Sequence, residues 1–371
     1  MRYLTAFLAS GLLAVTLALP AGAASIGSWT PTSSYPLPVA NASCVANSGY
    51  AYCIGGYDIN FTNYNSAYFA PFTATGVGPW KETTGYKSPI DSSSCVTDSG
   101  YDYCIGGENH TNQVNATCFS RLSSLGFGAW SCTTQYPLSP VAVSCVTYTG
   151  DVYCVGGFNG SRAVRATYYA QLSSTGIGPW ASTTPYPIPV DSTSCVVDSG
   201  YVYCIGGESQ GTPNGAVYFA QLSKLGMGSW SSTRGYPIAV ANPSCVSITG
   251  TVSCVGGVNS TAVSQSYVYS ASLSASGVGS WSPGAAYPTA VNGAACIADS
   301  SRIYCVAGAS YTLAGQGYFR SVYYATPGVL SSTSTSSSVP EFPAAILPLI
   351  LAASLVMVVV VLQPFLRRKT G

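Results

Sequence analysis

The chain has 371 residues, of which 47% are hydrophobic and only 7% are charged, far below the roughly 25% of charged residues in an ordinary soluble domain. Residues 25–330 carry nine Lys and Arg against eleven Asp and Glu, which excludes the basic surface that a nucleic-acid-binding protein needs. His110 is the single histidine, so sites built on two imidazoles, including those of most zinc hydrolases and copper oxidases, are excluded as well. Forty glycines, 23 prolines and 28 tyrosines indicate an all-β chain that is rich in turns.

The N-terminus has the organisation of a secretory signal. Residues 1–24 combine one Arg, an apolar stretch and the small-residue run Ala21-Gly22-Ala23. We therefore expect a signal peptide over residues 1–24 that is cleaved near Ala23 or Ala24. The alternative is an anchor that is not cleaved.

The middle of the chain, residues 25–327, contains one unit six times. Each copy has Gly-x-Trp, a Tyr six residues after the Trp, a Cys nine residues after the Tyr, a second Cys nine residues further on, and then a diglycine. Tyr86 is followed by Lys87 where the other copies have proline, and the sixth copy has Ala307-Gly308 in place of the diglycine. A period of about 50 residues is typical of propellers rather than helical arrays. The tryptophans are Trp29, Trp80, Trp130, Trp180, Trp230 and Trp281.

This unit resembles the kelch repeat, in which a diglycine ends an apolar strand and a Gly-x-Trp follows after the next strand. The resemblance covers residues 26–326 and implies a six-bladed β-propeller of four-stranded blades. The paired cysteines and the low charge depart from the usual kelch pattern, and a fold of this kind does not specify a function.

The register of the repeats predicts how the ring closes. With the strands of a blade named A to D, the cysteines lie on strands A and B, a tyrosine-rich segment is strand C, and the Trp opens strand D. The first Trp precedes the first diglycine, and no Trp follows the last copy. Trp29 should therefore open strand D of the sixth blade, so that the N-terminal strand closes the ring and covers exposed sheet edges.

The cysteines predict seven disulfides in an exported protein. In the first copy, Ser48-Gly49 is a two-residue hairpin loop of the kind that favours primed turns. This turn places Cys44 and Cys53 opposite each other as a non-hydrogen-bonded pair, with Cα atoms about 4.5 Å apart. A metal cluster would need shorter ligand spacings. Two further cysteines, Cys118 and Cys132, align with positions on strands C and D of the next copy. They should therefore join strands C and D of blade two. The predicted pairs are Cys44–Cys53, Cys95–Cys104, Cys145–Cys154, Cys195–Cys204, Cys245–Cys254, Cys296–Cys305 and Cys118–Cys132.

No nucleophile motif, phosphate-binding loop or metal-binding motif is present, so we expect no cofactor, no metal and no catalytic residue. Asp98, Asp198 and Asp299 precede the hairpin loops and are expected to cap their own turns. The tyrosines of strand B, such as Tyr52, are expected to pack between blades. The repeats differ in length only between the diglycine and the end of strand C, so the B–C loops are the variable surface on which binding is expected. The candidates for a binding face are Tyr57, Glu108, His110, Phe158, Arg162, Glu208 and Tyr311.

Six Asn-x-Ser/Thr acceptors follow the same distribution. Five lie in B–C segments and one lies in a D–A connection, and both kinds of segment share one end of every blade. This distribution predicts one glycosylated face. The acceptors are Asn41, Asn60, Asn109, Asn115, Asn159 and Asn259.

The C-terminal part predicts an anchor. Residues 328–339 form a Ser/Thr-rich linker, residues 344–362 are an uncharged stretch long enough to span a bilayer, and three basic residues follow, which places the terminus in the cytoplasm. Pro340, Glu341 and Phe342 before this span resemble the PEF-type sorting signal of archaea, which occupies residues 340–371 here. The resemblance implies processing by an archaeosortase-like enzyme and transfer to a lipid anchor. The alternative is an ordinary transmembrane anchor.

Together these features predict an exported propeller on the extracellular face of the cell membrane, held by lipid or by the C-terminal segment. Its expected function is non-enzymatic: adhesion, envelope assembly, or capture of a surface protein or glycan on the face formed by the B–C loops and D–A connections. The alternatives are a carbohydrate-active enzyme, for which Glu108 and Glu208 are the carboxylates nearest the ring mouth, and an envelope building block without a ligand.

Overall fold

A computed structural model describes residues 25–110 and 112–328, and all of the regular structure in these ranges is β. The strands form six antiparallel sheets arranged as a closed six-bladed propeller. Nothing in this part of the chain is a helix long and apolar enough to cross a membrane. The predicted signal peptide, Ser/Thr-rich linker and sorting segment lie outside the described residues.

Strand A is the innermost strand of every blade, since the six A strands contact one another around the ring, including those of blades one and six. The A strands are Ser43–Asn47, Ser94–Asp98, Ser144–Tyr148, Ser194–Asp198, Ser244–Ile248 and Ala295–Ala298. The B strands are Tyr50–Ile54, Tyr101–Ile105, Asp151–Val155, Tyr201–Ile205, Thr251–Val255 and Ile303–Val306.

Strand C pairs with strand B on one side and with strand D on the other, and strand D consists of two short segments in blades one to five and of one segment in blade six. The C strands are Ala67–Thr73, Thr117–Ser123, Thr167–Ser173, Val217–Ser223, Val268–Ser274 and Val322–Ala325. The first D segments, which close a tight turn with the end of strand C, are Gly76–Val77, Gly126–Phe127, Gly176–Ile177, Gly226–Met227 and Gly277–Val278. The outer D segments are Lys81–Thr83, Ser131–Cys132, Ala181–Ser182, Ser231–Ser232, Ser282–Pro283 and Thr30–Pro31. Two B–C loops carry extra hairpins, which are Glu208–Ser209 with Thr212–Pro213 and Ala309–Thr312 with Gly315–Tyr318.

The A–B hairpins have the predicted register. Ser48 and Gly49 both have positive φ values, 46° and 83°, which is the backbone geometry of a primed two-residue turn. Cys44 therefore faces Cys53 across the hairpin. All seven disulfides form between the predicted partners, with Cα atoms 3.9–4.1 Å apart, slightly closer than the expected separation.

The N-terminal strand closes the ring as predicted. Thr30 and Pro31 pair with Tyr324 and Tyr323 on strand C of blade six. The indole Nε1 of Trp29 donates to the Ala285 carbonyl at 3.1 Å, and Ile26 is buried against the same blade. The first and last described segments of the chain thus complete one sheet.

The hydrophobic core is divided into six clusters, each lying between two neighbouring blades. The five tyrosines one residue before the second cysteine of a copy lie in these clusters with at most 1% of their surface exposed, which confirms that they pack between blades. They are Tyr52, Tyr103, Tyr153, Tyr203 and Tyr304. Four of them also donate a hydrogen bond to the end of strand C in the next blade, as Tyr52 does to the Ser123 carbonyl at 2.9 Å. Each such bond fixes one blade against the next.

Blade two departs from the repeat in its interior. Asp102 occupies a buried strand B position and pairs with Ser120 on strand C. The same pair is Val152 and Ala170 in blade three. Asp102 is 1% exposed, and burial raises the pKa of its carboxyl well above the usual range, against a smaller opposing effect of the Tyr103 backbone amide.

Candidate functional site

The B–C loops and D–A connections form one face of the ring, and a belt of six residues closes the axis at this face. One residue from each D–A connection adopts a positive φ between 51° and 58°. Five of the six donate a backbone hydrogen bond to the carbonyl of the preceding blade's member, over 2.8–3.2 Å. We call these residues the axial ring, and its members are Asn41, Ser92, Ala142, Ser192, Asn242 and Gly293.

A small polar pocket of about 150 Å³ lies at the axial ring. Its side chains form a directed chain of hydrogen bonds. The Asn242 amide donates to Asn41 Oδ1 over 3.1 Å, and the Asn41 amide donates to Ser92 Oγ over 3.1 Å. Ser92 Oγ donates to an oxygen of Asp91 over 2.5 Å, so Asp91 is the final acceptor of the chain. The pocket therefore offers hydroxyl and amide groups to a small polar molecule.

Two carboxylate pairs flank the axial ring in blades two and four. Asp91 and Glu108 exchange backbone hydrogen bonds, as do Asp191 and Glu208, so the two acidic side chains of each pair are neighbours. Burial, with help from the neighbouring glutamate, raises the pKa of Asp91 and of Asp191 to about 6 despite hydrogen bonds from adjacent hydroxyls. Glu108 and Glu208 lie in different blades, each beside its own aspartate rather than beside the other.

The predicted candidates Tyr57 and Tyr311 meet where blade one adjoins blade six. Their hydroxyl groups are 3.1 Å apart, and the Tyr311 hydroxyl is 3.3 Å from that of Tyr318. Phe61 stacks on Tyr57 with ring centres 6.0 Å apart and remains 58% exposed. Burial and the hydroxyl contacts raise the pKa of Tyr57 and of Tyr318. We call Tyr57, Phe61, Tyr311 and Tyr318 the aromatic cluster.

The structure does not bring the remaining candidates together. His110 Nδ1 lies 3.1 Å from the Phe61 carbonyl, which ties the loops of blades two and one. Phe158 is half-buried and pairs with Val141 at the backbone, and the Arg162 side chain is exposed. These residues line the predicted face but do not form a common polar site.

Five of the six acceptor asparagines lie on the B–C loops, and Asn60 and Asn159 are exposed. Asn109, Asn115 and Asn259 are half-buried. Asn41 differs from them because both ends of its amide are hydrogen-bonded within the axial ring. A glycan on Asn41 would displace the bond to Ser92, which argues against this acceptor.

Phe61 and Tyr318 were not among the sequence candidates, although both carry signals. Phe61 is a large apolar residue in a segment expected to face solvent, and Tyr318 belongs to the longest B–C segment of the six. The capping role predicted for the aspartates is seen only at Asp299, which accepts hydrogen bonds from the Ser301 and Arg302 amides.

Within the described ranges, one cluster brings three potential metal-ligating atoms within 4.8 Å of one another, and it contains Cys95, Asp102 and Cys104. Both sulfur atoms belong to one disulfide. A disulfide supplies no thiolate, and the remaining carboxyl is one ligand, fewer than a structural metal site needs.

Comparison with known proteins supports the fold alone. No family model matches the chain, and no curated protein matches it. The solved structure of YjhT is similar to this chain with a TM-score of 0.63 and 14% sequence identity, over 78% of this chain and 95% of that chain. The kelch resemblance and the PEF-type sorting signal remain predictions from the sequence.

Proposed function

We propose that this protein is an exported, membrane- or lipid-anchored propeller that binds a surface glycan or protein, without catalysis, on the face of its B–C loops. The aromatic cluster is the observation that carries this proposal. It combines an exposed ring, Phe61, with a row of three tyrosine hydroxyls. Such a surface offers both apolar contact area and hydrogen-bonding groups to a ligand.

The surroundings of the cluster support the same proposal. Ile59 is 48% exposed and Leu313, at the tip of the blade-six hairpin, is 96% exposed. The two loops that carry the cluster therefore also carry exposed apolar side chains, and exposed apolar surface of this kind marks interaction sites. The loops that carry them rest on a rigid ring of disulfide-linked hairpins, which is the usual arrangement of a binding surface.

The seven disulfides indicate an oxidising compartment, which is consistent with export. Anchoring by residues 340–371 is part of the proposal. Mass spectrometry of the protein from its native membrane tests it, because sorting predicts loss of the peptides that follow Phe342. Intact C-terminal peptides would instead indicate a transmembrane anchor.

A binding screen against a glycan array and against envelope extracts tests the binding function. Phe61→Ala and Tyr311→Ala should each weaken binding at least tenfold, because they remove the exposed ring and the central hydroxyl of the cluster. Leu225→Ala is the matched control, since Leu225 is 88% exposed at a C–D turn on the other face. Equal binding by all three variants would contradict the proposed surface.

The carboxylate pairs favour a second candidate function, that of a carbohydrate-active enzyme. A carboxyl with a pKa of about 6, such as Asp91 beside Glu108, suits general acid–base chemistry near neutral pH. A panel of glycosides and free sugars, assayed for hydrolysis and isomerisation, tests this alternative. Turnover that is lost in Glu108→Gln would replace the non-enzymatic proposal.

A further inference from the structure

The opposite face of the ring, which carries the A–B hairpins, has a groove that extends across blades two, three and four. Its volume is about 580 Å³, within the range of about 300–1,000 Å³ that is typical of small-molecule sites. The polar side chains that line it include Asp98, Asp151, Gln171 and Lys224, and the Tyr169 ring contributes to one wall.

The groove coincides with a departure from the repeat at Asp151. The first residue of strand B is a tyrosine in blades one, two and four, namely Tyr50, Tyr101 and Tyr201. In blades two and four this ring packs near a phenylalanine of strand C, as Tyr101 does at 6.2 Å from Phe119. Blade three has the much smaller Asp151 instead, and this residue lines the groove.

The Asp151 side chain lines this groove. The residue is only 7% exposed, yet no described group donates a hydrogen bond to its carboxylate. Burial raises the pKa of the Asp151 carboxyl. The charge of Lys224 lowers this pKa and the charge of Asp98 raises it, so both charged neighbours act on the same carboxyl. Its carboxylate oxygens are not fully enclosed, so a ligand in the groove can donate a hydrogen bond to them.

Lys224 is a second departure, and it lies in the next blade. The C–D turn has Ala74, Ser124, Ser174 and Ala275 at this position in the other blades that have the turn. Two substitutions of opposite charge, each unique among the repeats, therefore border the same groove from neighbouring blades. Because all other blades do without them, the propeller fold itself does not require either residue.

We propose that this groove binds a neutral saccharide of about two sugar units. Hydroxyl groups both donate and accept hydrogen bonds, so a saccharide can donate to Asp98 and Asp151 while it accepts from Lys224 and Gln171. Two carboxylates disfavour an anionic ligand and Lys224 disfavours a cation. The Tyr169 ring provides apolar surface of the kind on which sugar rings pack.

Calorimetric titration of the full-length protein, in a detergent without sugar headgroups, tests the proposal with maltose, cellobiose and chitobiose. At least one of these disaccharides should bind. Asp151→Asn and Lys224→Ser should each weaken that binding at least tenfold, which corresponds to about 1.4 kcal/mol. Asp151→Tyr should abolish it, and this variant should fold because it restores the residue of three other blades.

Two controls separate this site from the surface proposed above. Asp198→Asn changes the counterpart of Asp98 in blade four, outside the groove, and Phe61→Ala changes the aromatic cluster on the other face. Both should bind the disaccharide as the unmodified protein does. The proposal is overturned if none of the disaccharides binds, if Asp151→Tyr and Lys224→Ser bind normally, or if the two controls lose binding equally.

Discussion

Replacement of Asp102 by valine should stabilise the protein. Asp102 is 1% exposed and its Oδ1 has no hydrogen-bond partner in the described part of the chain. Its Oδ2 lies 3.3 Å from Cys104 Sγ, and because this sulfur belongs to a disulfide, only a protonated carboxyl can donate in the contact. A buried polar group that lacks its hydrogen bonds costs about 1–3 kcal/mol. Blades three, four and five have valine at the position of Asp102, and the counterpart in blade four is Val202.

The gain should depend on pH, and its direction follows from the raised pKa of Asp102. Below the unfolded-state pKa of about 3.9, the carboxyl is protonated in both states and only the neutral group is buried. As the pH rises above that value, the unfolded chain ionises first, and the folded state loses stability until its own pKa is passed. Asp102→Val should therefore gain about 1–3 kcal/mol near pH 4 and more at pH 7.

Differential scanning calorimetry at both pH values, without reductant, measures this effect. One kcal/mol shifts the melting temperature by roughly 2–4 °C in domains of 150–250 residues, and by somewhat less in a ring of this size. Val202→Asp in blade four is the matched control and should lower the melting temperature, more at pH 7 than at pH 4. A lower melting temperature for Asp102→Val, or an equal gain at both pH values, would show that the buried carboxyl has a stabilising partner.

Three further predictions concern titration, oxidation and closure. Asp91→Asn copies Asn292 of blade six. Because the pKa of Asp91 is about 6, this change should remove a loss of about 2 kcal/mol in unfolding free energy between pH 4 and pH 6. Urea titrations at both pH values test this, and an unchanged pH dependence would refute it. Thiol labelling of the denatured, unreduced protein should modify no cysteine, and two or more labelled cysteines per chain would contradict the disulfide pattern. Deletion of residues 25–34 removes the strand that pairs with Tyr324. It should lower the melting temperature and broaden the transition. Melting at the temperature of the full-length protein would contradict closure of the ring by the N-terminal strand.

Much of the fold could be predicted because each blade obeys local rules. The Ser48-Gly49 pair specifies a primed turn, the turn specifies the register, and the register places Cys44 opposite Cys53. The position of Trp29 relative to the first diglycine was sufficient to predict which blade the N-terminal strand completes. None of these steps required contacts between distant blades.

The candidate site could be predicted only in part, because its contacts depend on closure of the ring. Tyr57 and Tyr311 are 254 residues apart in the sequence and meet only when blade six adjoins blade one. The axial ring has no distinct sequence signal either. Its members include Asn41 and Ala142, which adopt the positive φ usually associated with glycine, and five of the six are held there by hydrogen bonds to the neighbouring blade.

Near-identical blades make departures from the repeat informative about function. Residues shared by all copies explain the fold, because they meet a requirement that every blade has. The buried tyrosine that follows each Trp by six residues is an example. A ligand that binds at one place on the ring must instead contact residues that are not repeated six times. Asp151 with Lys224, and Tyr311 with Tyr318, meet that condition on opposite faces of the ring. Exchange of each such residue for its counterpart in a neighbouring blade should remove binding while the fold is retained, and this separates the two roles by experiment.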